Sequence, residues 1–200
     1  MAKLFCIAGH GAGDSGAVGG GYTEAALVRK LAMRIKALGG SDVQIGDMSV
    51  NWFDTEGISR LPKGTNILEL HMDSFANASA KGGSVRIKPG FSPDSDDKAL
   101  AAFISSMFPG RPHPIWNQPL KNANLAAARG CPYRLLECCF ISNADDRTKF
   151  INQMDELAHG ILAAFGISAG AAPSPEPSPA PEPPAGGTTG EGFGGNYVCQ

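Results

Sequence analysis

The sequence has no run of about 18 or more apolar residues, which excludes a membrane-spanning helix of ordinary length. It has no surplus of either charge. Its 17 basic residues meet 19 acidic ones for a formal net charge of -2, so no broad basic face is expected and nucleic acid is not the expected partner. Cys6, Cys131, Cys138, Cys139 and Cys199 form no CxxC pair, and five is an odd number, which fits reduced thiols better than a disulfide framework. The opening MAKLFCIAG runs at once into an apolar stretch, with no room for a basic segment, an apolar core and a cleavage site. No export signal is therefore expected, and synthesis in a cytoplasm is. No internal repeat is evident.

What is present suffices for one domain. The chain has 200 residues, 42% of them hydrophobic and 18% charged, enough for a proper core but not for two. The 26 Gly and 15 Pro are unevenly spread. After Ile167 the chain reads SAGAAPSPEPSPAPEPPAGGTTGEG, which cannot bury a core and is expected to be an extended, semi-rigid spacer. The closing FGGNYVCQ is too short to fold alone. The expected organisation is a folded domain over 1–168, a Pro/Gly-rich linker over 169–191, and a short tail over 192–200 that is vestigial or opens a second module.

Within the domain, residues 3–9 read as a buried strand. Thr23 can cap a helix from Glu24, with Leu27, Leu31, Ile35 and Leu38 on one stripe and Gly39-Gly40 to stop it. Val43 to Ile45 suggest a second strand. Asn66 to Met72 suggest a third, with Leu68, Leu70 and Met72 on one face and Ile67, Glu69 and His71 on the other. Residues 84–88 fit an edge-type strand. Asp94 to Phe108 make an amphipathic helix with acidic residues at its start, where the dipole favours them. Tyr133 to Ile141 is the last strand, with Cys138 and Cys139 expected on opposite sides of it. Asn143 caps a single final helix running through Phe150 to Phe165. Strands alternating with helices predict a single three-layer α/β domain, its mostly parallel central sheet flanked by helices.

The stretch CIAGHGAGDSGAVGGGYTE (6–24) admits two chemistries. Gly11, Gly13 and Gly16 spell GxGxxG after a strand, the outline of a loop that cradles a dinucleotide, with Asp47 as the acid for its ribose. Against this, Gly19-Gly20-Gly21 separates the loop from its helix, so the helix N-terminus would not meet the pyrophosphate. The other chemistry joins His10 at one strand end, Glu24 at the first turn of the helix and His71 at a later strand end, which converge on one side of a parallel sheet. Two imidazoles and a carboxylate are the ligand set of a catalytic zinc site with its fourth position open to water. Glu137, inside LLECCF, is costly to bury unless a cation pairs with it. That cation could be Arg134, Arg129 or a catalytic metal. Glu69, two residues from His71 on the same face, is a candidate to support it. Cys6, Cys138 and Cys139 read as small core residues, with a nucleophilic cysteine served by His71 as the sharper alternative. His113 and Trp116 in RPHPIW could border a groove, whereas His159 reads as surface.

Three segments, GHGAGDSGAVGGGYTE (9–24), ILELHMDS (67–74) and LLECCFISNADD (135–146), resemble the zinc-dependent N-acetylmuramoyl-L-alanine amidases of the Amidase_3 type, especially phage endolysins. Their order and approximate spacing match, and the likeness covers about residues 3–167. It implies one zinc ion held by His10, Glu24 and His71, and Glu137 as the catalytic acid/base. The implied substrate is peptidoglycan, cut between the lactyl group of N-acetylmuramic acid and L-alanine. It further implies a phage or prophage lysin that acts on the wall after release from the host cytoplasm, and the tail is similar to the opening strand of a bacterial SH3-type wall-binding domain. Asp73 stands where the family often has Asn, and Cys139 where it often has Gly; both bear on the groove rather than on the proposed ligands. Two other functions compete: a nucleotide-binding oxidoreductase built on the glycine loop, and a wall-binding module without catalysis.

Overall fold

The computed structural model describes residues 2–11 and 13–170. The expected tail, nearly all of the expected linker and Cys199 lie outside the described residues. The elements in chain order are β1 (Leu4–Ala8), β2 (Val18–Gly19), β3 (Tyr22–Thr23), α1 (Glu24–Gly39), β4 (Val43–Ile45), β5 (Ile67–Asp73), β6 (Ser84–Ile87), α2 (Ser95–Met107), β7 (Ile115–Asn117), α3 (Lys121–Ala128), β8 (Tyr133–Phe140), α4 (Ala144–Asn152) and α5 (Met154–Ala164). Six strands form one sheet in the order β4-β1-β5-β8-β6-β7, and β2 with β3 make a small separate hairpin. β4, β1, β5 and β8 run parallel, while β6 pairs antiparallel with β8 and parallel with β7.

The local signals explain the helices. Thr23 accepts from the Ala26 N–H at the start of α1, and Gly40, at φ 55, ends it. Asp94 and Asp97 form a reciprocal capping box on α2. Asn143 accepts from the N–H groups of Asp145 and Asp146 at the start of α4. The single final helix expected from Asn143 is two: Gln153 leaves helical geometry at φ -117, ψ 31. The break allows two packings, with α4 lying on β8 and α5 turning its Leu157, Ile161 and Leu162 against α1 and α2.

Strand alternation divides the core. Leu4, Cys6, Leu68, Leu70, Met72 and Leu136 face α1, α2 and α5 in the larger cluster. Phe5, Ile7 and Ile67 face the opposite way, under Ile58, Leu61, Ala126 and Cys131. Between the pairs His71–Glu137 and Asp73–Phe140 the register slips, putting one extra residue into β8. For that reason Cys138 and Cys139 both join the larger core instead of dividing between the two faces. Residues 84–87 are not an edge: β7, which begins in the Pro-flanked RPHPIW segment, pairs outside them. The β2–β3 hairpin and α3 were also not expected; the hairpin strands are two residues each and α3 is an Ala-rich single stretch of eight, too short for periodicity to register. No described helix is long and apolar enough to cross a membrane.

Candidate metal centre and its cavity

β1, β5 and β8 end on one side of the sheet, and their open face carries the candidate site. His10 follows β1 in the left-handed region at φ 63, a conformation that costs energy for a residue with a Cβ and is held here by its surroundings. Its carbonyl accepts from Arg29 of α1 at 3.1 Å, and its Nδ1 lies 2.8 Å from Asp14 Oδ2. Glu24, the first residue of α1, is buried with its charge at the positive end of the helix dipole. Its Oε2 accepts from the Ala17 N–H and its Oε1 from the Met72 N–H, both at 3.0 Å. His71 on β5 places Nδ1 2.9 Å from Glu24 Oε1 and Nε2 3.2 Å from Glu69 Oε1.

His10, Glu24 and His71 therefore offer three donor atoms within 4.8 Å of one another. Each imidazole has its other nitrogen on a carboxylate, Asp14 or Glu69, the arrangement that fixes tautomer and ring orientation in metal sites. His10 Nε2 is buried 2.9 Å from Glu24 Oε1, yet it makes no properly directed hydrogen bond among the described residues. A divalent cation between these atoms would give that orphan nitrogen a partner and balance the surrounding carboxylates, so the donor set fits a divalent metal ion. The charges point the same way. Burial alone would raise the Glu24 carboxyl, but His10 and His71 outweigh it and hold it far below the usual range. Burial would lower His71, and Glu24 and Glu69 instead raise it well above its usual value.

Two of the loop's glycines serve this centre. A Cβ on Gly16, whose φ is +62, would sit 2.7 Å from His10 Nε2 and 2.8 Å from Glu24 Oε2. A Cβ on Gly11 would sit 2.1 Å from the backbone nitrogen of Asn51, so this glycine admits the 47–60 loop that walls the site. The β2–β3 hairpin fills the gap before α1, and Glu24 places a carboxylate at the helix N-terminus that a dinucleotide phosphate would need. The dinucleotide reading thus loses its anion site. Asp47, its ribose acid, turns its carboxylate back to Ser49 of its own loop.

Glu137 stands beside His71 in the register of β5 and β8. The residue is partly exposed, but its Oε2 is buried and has no hydrogen-bond partner among the described residues. Burial first, then the negative charge of Asp73, push its carboxyl up to about 7, against the opposing pull of His71. Neither arginine suggested as its partner reaches it. Arg134 is buried on the other face with Asp94, Asp97 and Asn66, and Arg129 donates to the Leu61 carbonyl. His10, Glu69, His71 and Glu137 line one cavity of about 570 Å³, with Trp52 and Lys121 among the residues opposite.

Glu69 proves to be a buried hub: besides His71, its Oε2 accepts from Asn122 Nδ2 at 2.9 Å and from the Tyr133 hydroxyl at 2.7 Å. Asn122 and Tyr133 had no motif to mark them, whereas Asp14 could have been found from its position four residues after His10. Burial pushes the thiols of Cys6, Cys138 and Cys139 up, and both nitrogens of His71 are engaged by carboxylates, which leaves no pair of these cysteines with His71 among the described residues. Asp73 pairs with Arg111 and with Arg86, and Cys139 is sealed in the core, away from the groove. Trp116 donates to the His113 carbonyl near the β7 edge, and neither residue lines the cavity. His159 is exposed.

Comparison with known proteins gives the family and the fold. The sequence profile of the Amidase_3 family, described as N-acetylmuramoyl-L-alanine amidase, matches residues 5–166. A relative named Probable autolysin PH, from Staphylococcus aureus, is 29% identical over 171 residues, 72% of this chain and 34% of its own length. The chain thus spans about a third of that curated relative. The crystal structure of an N-acetylmuramoyl-L-alanine amidase from Clostridium difficile superposes with a TM-score of 0.63 at 19% identity, covering 82% of this chain and 94% of that one. The catalytic domain of CD27L, an endolysin targeting Clostridia difficile, gives 0.61 at 17% identity, covering 81% and 96%. At these identities the solved structures establish the shared fold.

Proposed function

The chain belongs to the Amidase_3 family of N-acetylmuramoyl-L-alanine amidases, and from that premise we propose that it hydrolyses the amide bond between N-acetylmuramic acid and L-alanine in bacterial peptidoglycan, with one zinc ion held by His10, Glu24 and His71. The observation that carries the chemistry is Glu137, a carboxylate kept basic by burial, its Oε2 without a hydrogen-bond partner among the described residues, on the wall of the cavity that His10 and His71 also line. A zinc ion bound there supplies a Lewis acid that acidifies water and polarises the scissile carbonyl.

The protein's own groups do the rest. Glu137 takes the proton of the attacking water and delivers it to the departing nitrogen of L-alanine, a cycle that favours a carboxyl poised near the working pH. Glu69 and Asp14 hold the two imidazoles in the orientation the ion requires. Trp52 and Phe53 from the 47–60 loop add aromatic surface to the same cavity. The products are glycan strands and free stem peptides.

The proposed context is that of a phage or prophage lysin. The autolysin relative and the endolysin fold neighbour support a lytic role. In this reading residues 1–168 are the catalytic domain, 169–191 a spacer, and 192–200 the opening of a wall-binding module. Purified protein incubated with peptidoglycan, with and without chelator, tests the chemistry by mass spectrometry of the new ends. New L-alanine amino termini that vanish with chelator and return with zinc are expected. Cleavage at any other bond, or no cleavage of Gram-positive and Gram-negative walls alike, overturns the proposal.

A further inference from the structure

The catalytic cavity has a second end. From His71 and Glu137 it extends to the start of α3, where Leu120, Lys121 and Asn122 form its wall. Among the described residues, Lys121 is the only Lys or Arg in the lining. Its ammonium lies 5.0 Å from the centroid of the Phe53 ring, on the facing loop, and 3.5 Å from Glu56. That glutamate is 55% exposed, so it holds Lys121 only weakly and leaves the ammonium donors for another anion.

The same turn carries two more unmet polar demands. Leu120, at the N-cap of α3, provides no side-chain cap among the described residues, so the first N–H groups and the positive end of the helix, at the residues that line the cavity, have no side-chain anion of their own. Asn122 is 2% exposed. Its Nδ2 must face Glu69, because a carboxylate only accepts, and this fixes Oδ1 as the end left over. That Oδ1 is buried with no hydrogen-bond partner among the described residues, and as an acceptor it suits a peptide N–H next to the carboxylate, not the carboxylate itself.

Resting on the amidase reading above, we propose that Lys121 and the first turn of α3 form a subsite for a carboxylate on the peptide part of the substrate. The choice of ligand follows from charge. The amino sugars of an acetylated glycan strand are neutral, whereas the stem peptide carries ionised groups, and the Lys121 ammonium, away from the carboxylates around His71, pairs with the acidic one. The cavity of about 570 Å³ is large enough to hold a few peptide residues next to the scissile amide. Asn122 ties the subsite to the metal centre, since Glu69 joins its amide to His71.

The test uses the full chain and two soluble substrates, N-acetylmuramoyl-L-alanyl-γ-D-glutamyl-L-lysine amide with the glutamyl α-carboxylate free or amidated. Cleavage is followed by mass spectrometry. Binding of the corresponding free peptides, acid and amide, is followed by NMR titration. The expected result is a kcat/KM ratio of about fivefold in favour of the acid, the size of one half-exposed charge pair, with a matching ratio in peptide affinity. Lys121→Met brings both ratios close to one, and Lys121→Arg restores them. Equal cleavage of acid and amide, or a preference that survives in Lys121→Met, overturns the subsite and leaves the amidase reading standing. A Lys121-dependent preference in peptide binding without cleavage of either substrate overturns the amidase reading and leaves the subsite. Absence of both cleavage and carboxylate-dependent binding overturns both.

Discussion

The two faces of the central sheet are built to different ends from the same strands. On one face α1, α2 and α5 cover a continuous apolar core, with Leu68, Leu70 and Met72 of β5 inside it. On the other, a smaller cluster covers only the starts of β1, β5 and β8, and their ends open into the cavity through Glu69, His71 and Glu137. β5 carries both, residue by residue. A period of two lets one strand deliver packing energy to one side and reactive groups to the other, and it makes register the critical variable, because a slip of one residue exchanges the sides.

The largest expected effect of breaking this contrast lies on the open face. Glu137→Gln should lower kcat/KM on peptidoglycan fragments by about 10³-fold, within the range of a lost general acid/base, with zinc content by elemental analysis unchanged. On the closed face, Leu70→Ala, at a position with no exposure, should destabilise the fold by about 3 kcal/mol in denaturant titration while the folded fraction keeps its zinc. If the closed-face variant loses zinc before it loses stability, the two faces are not independent.

Glu69→Gln sharpens the contrast, because this residue sits where the faces' roles meet. Its expected cost is a roughly 10-fold or greater loss in zinc affinity by competition with a chelator, since His71 loses the carboxylate that orients it. An unchanged affinity would make Glu69 a packing residue only.

The smallest effect concerns pH. In metal-free protein the Glu137 carboxyl is raised from about 4.5 to about 7, so the fold binds that proton more tightly than the unfolded chain does. Its contribution is fully present below the lower value and is lost as pH rises through the window between them. Glu137→Gln should therefore stabilise the metal-free protein by up to about 2 kcal/mol at pH 8 and by much less at pH 5. Equal stabilisation at both values would show that this carboxyl is not held neutral by its surroundings.

Much of this site was legible because the chemistry clusters in local strings. His10 and Glu24 flank one glycine loop, and His71 and Glu137 each sit in a strand whose apolar neighbours make them conspicuous. The helices with side-chain caps at Thr23, Asp94 and Asn143 were legible for the same reason. What escaped depends on contacts between distant segments: Asn122 and Tyr133 reach Glu69 across 53 and 64 residues, and the break at Gln153 follows from α5 docking on α1 and α2.

By itself, then, the sequence determined the α/β class, the alternation that sorts β5 into core and site residues, and the four side chains proposed for the chemistry, because periodicity, capping and motif strings are written within a few residues of one another. It took the folded chain to show that Arg134 and Arg129 are engaged away from Glu137, that the glycine loop seats His10 and Glu24 instead of a phosphate, that β6 lies inside the sheet, and that α3 opens onto the cavity. Each of these turns on which segments meet across the sheet, and strand order and register are set by the packing of the whole chain.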